Sequence, residues 1–93
     1  MTTIIATHEV ENGDRWAKAW HKGAGSRHEL VAKLGATART FRDPQNPNVT
    51  GLIIEVPDMT KFQAFMESDE TRKAMQEDGV KPETLRMVHE FTP

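Results

Sequence analysis

The 93-residue chain contains no cysteine, which excludes disulfides, zinc–thiolate sites, iron–sulfur clusters and thiol nucleophiles. Long apolar runs are missing too. Stretches such as Leu52 to Ile54 fall far short of the ~18 residues that cross a bilayer, and the first residues show neither a basic segment nor an apolar signal core. A cytoplasmic location is the resulting expectation. Charge of one sign is nowhere concentrated: 12 basic and 14 acidic residues are dispersed along the chain for a formal net charge of −2. Nucleic acid and anionic membranes attract basic stripes, so neither is expected as a partner. The chain has no His-x-x-x-His spacing for a metal and no Gly-x-Ser-x-Gly elbow for a nucleophilic serine, and Ser26 and Ser68 read as helix caps. Gly23-Ala24-Gly25 is too short and wrongly placed to cradle a phosphate. No metal and no cofactor is implied.

What is present describes one folded domain over residues 1–93, with 37% hydrophobic residues and no repeat or low-complexity segment. Thr2 to Val10 is β-branched and alternating, the pattern of a first strand. Asp14 is the expected cap of a helix running towards Lys22, on which Trp16 and Trp20 share a face through their i, i+4 spacing. After the Gly23–Gly25 break, Ser26 and Glu29 have capping-box spacing and start a second helical piece, which buries Leu30, Val31 and Leu34 and stops at Gly35. Ala36 to Arg42 and Val49 to Val56 read as two strands joined by the turn Asp43-Pro44-Gln45-Asn46-Pro47-Asn48. A helix beginning near Asp58 carries Phe62, Phe65 and Met66 as a buried stripe, Ser68 to Glu77 forms a further helix, and Thr84 to Phe91 the last strand.

This order predicts an α+β, ferredoxin-like βαββαβ unit: a four-stranded antiparallel sheet of order 4-1-3-2 with its helices on one face. The other face is left bare, yet Val49 and Ile53 are expected to point to it. A homodimer formed through that open face is the simplest cover. Glu9 and Glu55, read as ending parallel neighbouring strands there, would meet Arg86, either to activate a proton transfer or, the preferred reading, as an ion-pair cluster at the seam.

Several stretches resemble the dimeric α/β-barrel superfamily and, within it, the antibiotic-biosynthesis-monooxygenase-like proteins. They are His8-Glu9-Val10 followed by Trp16-Ala17-Lys18, the Asp43–Asn48 turn, Leu52-Ile53-Ile54-Glu55-Val56, and Phe65 to Glu70 continuing through Ala74-Met75-Gln76 to Gly79-Val80. The resemblance covers most of the chain and implies a dimeric α/β barrel with a pocket in each protomer between sheet and helices. It implies no single activity, because the same barrel hosts oxygenases, isomerases, haem-degrading enzymes and proteins without catalysis. Many members carry a tryptophan at the end of the third strand, where this chain has Val56 and Pro57, which argues against haem degradation.

Parity then selects site residues. His8 shares the face of Ile4, Ala6 and Val10, beneath Trp16 and Trp20, and is the candidate catalytic residue: an imidazole beside indoles can exchange a proton with an aromatic or hydrophobic ligand. The alternative is a structural histidine with tryptophans that only fill the core. His89 has the parity of Leu85 and Met87 and is a candidate ligand contact, though too distant from His8 to share a metal with it. Arg39 would hold an anionic ligand group if it points to the pocket, and on an exposed edge would only discourage strand addition. His21 and His28 read as solvent-facing residues near the glycine break. The expected function is that of a small-molecule pocket protein, either a cofactor-independent oxygenase or isomerase or, as the rival, a non-catalytic ligand-binding or stress-related homodimer.

Overall fold

A computed structural model describes residues 1–93. The strands β1 (Thr2–Glu9), β2 (Thr37–Arg42), β3 (Val49–Val56) and β4 (Arg86–His89) form one antiparallel sheet in the order β2-β3-β1-β4. This is the expected 4-1-3-2 order read from the other edge. The register places Ile4 opposite Ile54, Ala6 opposite Leu52, and His8 opposite Thr50, so these pairs share one side of the pleat. That side carries the helices and the core. Ile4, Ala6, Val10, Leu52, Ile54 and Val56 are buried there together with Trp16, Val31 and Phe62.

The first helix, α1, spans Gly13–Ala19 and is capped by Asn12, not by Asp14 as expected. The Asn12 side-chain oxygen accepts the backbone N–H groups of Asp14 and Arg15 at 3.0 and 3.2 Å. The cap moves upstream because Asn12 is still extended, while the Asp14 carboxylate is drawn aside to Arg42 at 2.9 Å. Position 13 has to be glycine, since an added Cβ would collide with the Pro47 carbonyl. Asn48 completes this junction: its side-chain oxygen accepts Gly13 N–H at 2.8 Å and its carbonyl accepts Val10 N–H at 2.9 Å.

α2 (Arg27–Ala32) is capped by Ser26, and the Glu29 carboxylate reaches back to the Gly25 N–H at 3.0 Å, one residue further than a capping box requires. α3 (Met59–Glu67) starts at the Asp58 cap, and α4 (Asp69–Glu77) at Ser68. The last strand is shorter than Thr84–Phe91. Pro82 opens a single 3₁₀ turn over Pro82–Thr84, and the Thr84 hydroxyl donates to Lys81 C=O at 2.7 Å, so strand pairing begins only at Arg86.

On the uncovered face, Ile5, Phe41 and Val88 are 48%, 46% and 61% exposed, and Val49 and Ile53 are half-buried. The expected Glu9–Glu55–Arg86 cluster does not form. β1 and β3 run antiparallel, so Glu9 lies opposite Val49 while Glu55 lies opposite Thr3 at the other end of the sheet. Glu55 instead accepts the Thr3 hydroxyl at 2.8 Å. No helix is long and apolar enough to cross a membrane.

Candidate functional site

His8 leaves β1 towards the helices, as its parity requires, and is 6% exposed. Opposite it, the Thr50 hydroxyl donates to the His8 carbonyl at 3.0 Å and lies 3.3 Å from the ring Nδ1. The hydroxyl has one proton, and the carbonyl takes it. The ring contact therefore requires Nδ1 to carry hydrogen and donate, leaving Nε2 as an unprotonated acceptor. Burial holds the imidazole pKa below its ordinary value of 6.5, partly offset by hydrogen bonding to the Thr50 backbone and by the negative charge of Asp78. His8 is neutral at pH 7, with one nitrogen free to take a proton.

Trp16 packs edge-on against His8, with ring centroids 5.8 Å apart at 75°. Trp20 lies 6.2 Å beyond it, and His28 stands edge-on to Trp20 at 5.2 Å. The four rings form a continuous row from the sheet to α2. His28, read from sequence as a solvent-facing residue, is its outer end.

His8, Trp16 and Trp20 line a cavity of about 90 Å³ between sheet and helices. Its walls are otherwise mostly hydrophobic, including Phe62, Phe65, Met66, Met75 and Met87. Two charged residues that sequence reasoning missed also line it. Arg27 Nε and Nη2 donate to the two Asp78 carboxylate oxygens, both at 2.8 Å, in a bidentate fork reinforced by Glu77 at 3.3 Å. The bond to Asp78 is the main reason the Arg27 pKa is raised further above its ordinary value. On the outer side of the two indoles is a cleft of about 340 Å³ bordered by His21, His28, Thr40 and Arg42, so Trp16 and Trp20 stand between an inner and an outer space.

Two candidates lie elsewhere. Arg39 sits opposite Ile53, on the uncovered face, with its guanidinium carbon 5.7 Å from the Phe41 ring centroid, and does not line the cavity. The odd positions of β2 point away from the helices, so Ala38 and Thr40 take the side on which an anion-holding arginine was sought. His89 is opposite Ile4 on the helix side but exposed, past the end of the wall formed by Leu85 and Met87. No three His, Cys, Asp or Glu side chains converge to hold a metal. Thr50 was within reach of sequence reasoning, because it has the parity of Leu52, Ile54 and Val56. The Arg27–Asp78 pair joins residues 51 apart and has no local signal.

The fold is ferredoxin-like and is similar to that of solved structures described as antibiotic biosynthesis monooxygenases. Solved structures similar to this chain include one described as an antibiotic biosynthesis monooxygenase, with 16% identity, TM-score 0.68, and 100% of this chain and 99% of that one covered. A second, from Nitrosomonas europaea and provisionally designated in the same way, has 13% identity, TM-score 0.69, and coverage of 99% and 98%. A third is a variant of SnoaB, a cofactor-independent oxygenase from Streptomyces nogalater, with 12% identity, TM-score 0.65, and coverage of 99% and 91%. No protein-family model and no curated protein matches the sequence. Identities this low establish a shared fold and leave activity to the residues of this chain.

Proposed function

We propose that this protein binds a small hydrophobic or aromatic metabolite between sheet and helices and acts on it as a cofactor-independent oxygenase or isomerase, with His8 as the base. The observation that carries this reading is a neutral, buried imidazole with an acceptor nitrogen, in the wall of an apolar cavity. His8 Nε2 takes a proton from a carbon or hydroxyl of the ligand. The resulting imidazolium is supported by the Thr50 backbone and by the charge of Asp78. Returning that proton at a different atom is isomerisation, whereas oxygenation follows when the ligand carbanion gives an electron to dioxygen and the two radicals join in a C–O bond; the peroxide anion recovers the proton from His8, and loss of water from the hydroperoxide leaves a carbonyl on that carbon. The likeness to a cofactor-independent oxygenase supports the second route. The uncovered apolar residues Ile5, Phe41 and Val88 support a homodimer through the bare face.

One observation favours the non-catalytic rival. At about 90 Å³ the cavity is smaller than the ~150 Å³ space that admits benzene in an engineered protein core, so a full aromatic ligand must displace side chains to enter. The methionines of the wall are adaptable enough to allow this. A thermal-shift screen of small aromatic and carbonyl compounds finds the ligand class, since a molecule bound only to the native state raises its apparent stability. Turnover of a hit is then compared with His8→Ala. A base predicts a loss of about 10²–10⁴-fold with the fold intact. Binding without turnover establishes the rival.

A further inference from the structure

The polar groups around the cavity are nearly all committed to protein partners. His8 Nδ1 faces Thr50, Arg27 and Asp78 hold each other, and the Thr71 hydroxyl pairs with the Ser68 hydroxyl at 3.0 Å. Apart from the acceptor Nε2 of His8, the exception is Trp16. Its side chain is 2% exposed and lines the cavity, yet its Nε1 is a buried donor with no hydrogen-bond partner in the protein. Buried indole N–H groups are normally bonded, because an unmet donor loses its hydration without compensation. A residue serving only to fill the core would be better as phenylalanine, which has no such donor. The neighbouring imidazole does not meet the need, although its ring is packed edge-on at 5.8 Å.

We infer that the Trp16 Nε1–H is a ligand-orienting donor, and that the cavity selects compact apolar molecules bearing one acceptor oxygen of the carbonyl type. The inference rests on the small-molecule reading of this cavity and adds its polar requirement. His8 Nε2 is an acceptor and repels a carbonyl oxygen, so the two groups impose opposite demands and fix which end of the ligand lies against which ring. A carbonyl bonded to Trp16 is also polarised, which makes its adjacent C–H more acidic towards a base. The remaining wall asks only for shape, since the lining is otherwise largely hydrophobic.

The test uses cyclopentanone and methylenecyclopentane, which differ chiefly in replacing C=O by C=CH₂, on the whole chain and on Trp16→Phe. The readout is the ratio of the two affinities, so the extra space left by phenylalanine cancels. Trp16→Phe should weaken the ketone relative to the hydrocarbon by roughly five- to tenfold. In the unmutated protein, cyclopentanone should move the Trp16 indole N–H resonance downfield, methylenecyclopentane should not, and the Trp20 indole should serve as the internal reference. An unchanged ratio overturns the inference and leaves the pocket standing. Failure of both probes to bind at millimolar concentration overturns the pocket reading and the inference with it. Should Trp16→Phe not fold, the indole resonance decides: no ketone-specific shift rejects the proposal.

Discussion

Alternate residues of β1 meet opposite environments. Ile4, Ala6, His8 and Val10 lie under the helices, whereas Ile5, Thr7 and Glu9 are exposed on the side that no helix covers. The covered face has a closed aliphatic and aromatic core with one titratable ring inset. The other has isolated apolar side chains, Ile5, Phe41 and Val88, among threonines and charges. A single strand thus builds the core and the cavity wall with one set of residues and presents the other set on the uncovered face, because the pleat turns every second side chain over. Mutations one position apart should therefore have different consequences.

The sharpest contrast is between core and bare-face truncation. Phe62→Ala, at a side chain 2% exposed, should cost about 3–5 kcal/mol in urea unfolding, while Val88→Ala should cost no more than about 0.5 kcal/mol of fold stability. Equal losses would mean that the two faces do not divide the labour. Asp78→Asn comes next, at about 2–3 kcal/mol, because it leaves the largely buried Arg27 guanidinium with only the exposed Glu77 as a charged partner.

A smaller effect is set by pH. The folded-state pKa of His8 lies below its unfolded value of 6.5, so the unfolded chain binds the proton more readily. The contribution of the neutral ring to stability is fully present above pH 6.5 and is lost as pH falls through the folded pKa. Unfolding free energies measured at pH 7.5 and 5 should differ less in His8→Gln than in the unmutated chain. The smallest effect on the fold belongs to Ile5→Asp, which should abolish dimers in sedimentation at micromolar concentration yet leave the unfolding midpoint nearly unchanged at dilutions where the unmutated chain is already monomeric. A midpoint that falls as far as that of Phe62→Ala would place Ile5 in the core and erase the contrast.

Strand parity made much of this legible. His8 could be assigned to the covered face from Ile4, Ala6 and Val10 alone, and Trp16 and Trp20 to a shared helix face, because both statements depend on local periodicity. Arg39 could not be assigned, since β2 is exposed at nearly every position and has no apolar alternation to reveal its inner side. The placement of Glu9 and Glu55 failed for a different reason: strand direction follows from topology, and β1 and β3 are joined through three other elements, α1, α2 and β2. The Arg27–Asp78 fork depends on how α2 and the end of α4 meet over the cavity, a tertiary fact invisible to any window of sequence. His89 had the correct parity but is the last residue of β4, opposite Ile4 and beyond Leu85 and Met87, which line the cavity.

The junction of Asn48 and Pro47 with Gly13 changes what kind of loop joins β2 to β3. Hairpin tips ordinarily accept extra residues at little cost, being free at their outer end. This one is anchored, because Asn48 supplies acceptors to both Val10 and Gly13, and the Pro47 carbonyl occupies the space where a Gly13 side chain would stand. Lengthening the loop by even one residue would withdraw those acceptors from the start of α1, three residues before Trp16. An insertion made for convenience at the rim, as a tag or a linker, would thus be felt inside the cavity, and the safer places to open this chain lie elsewhere.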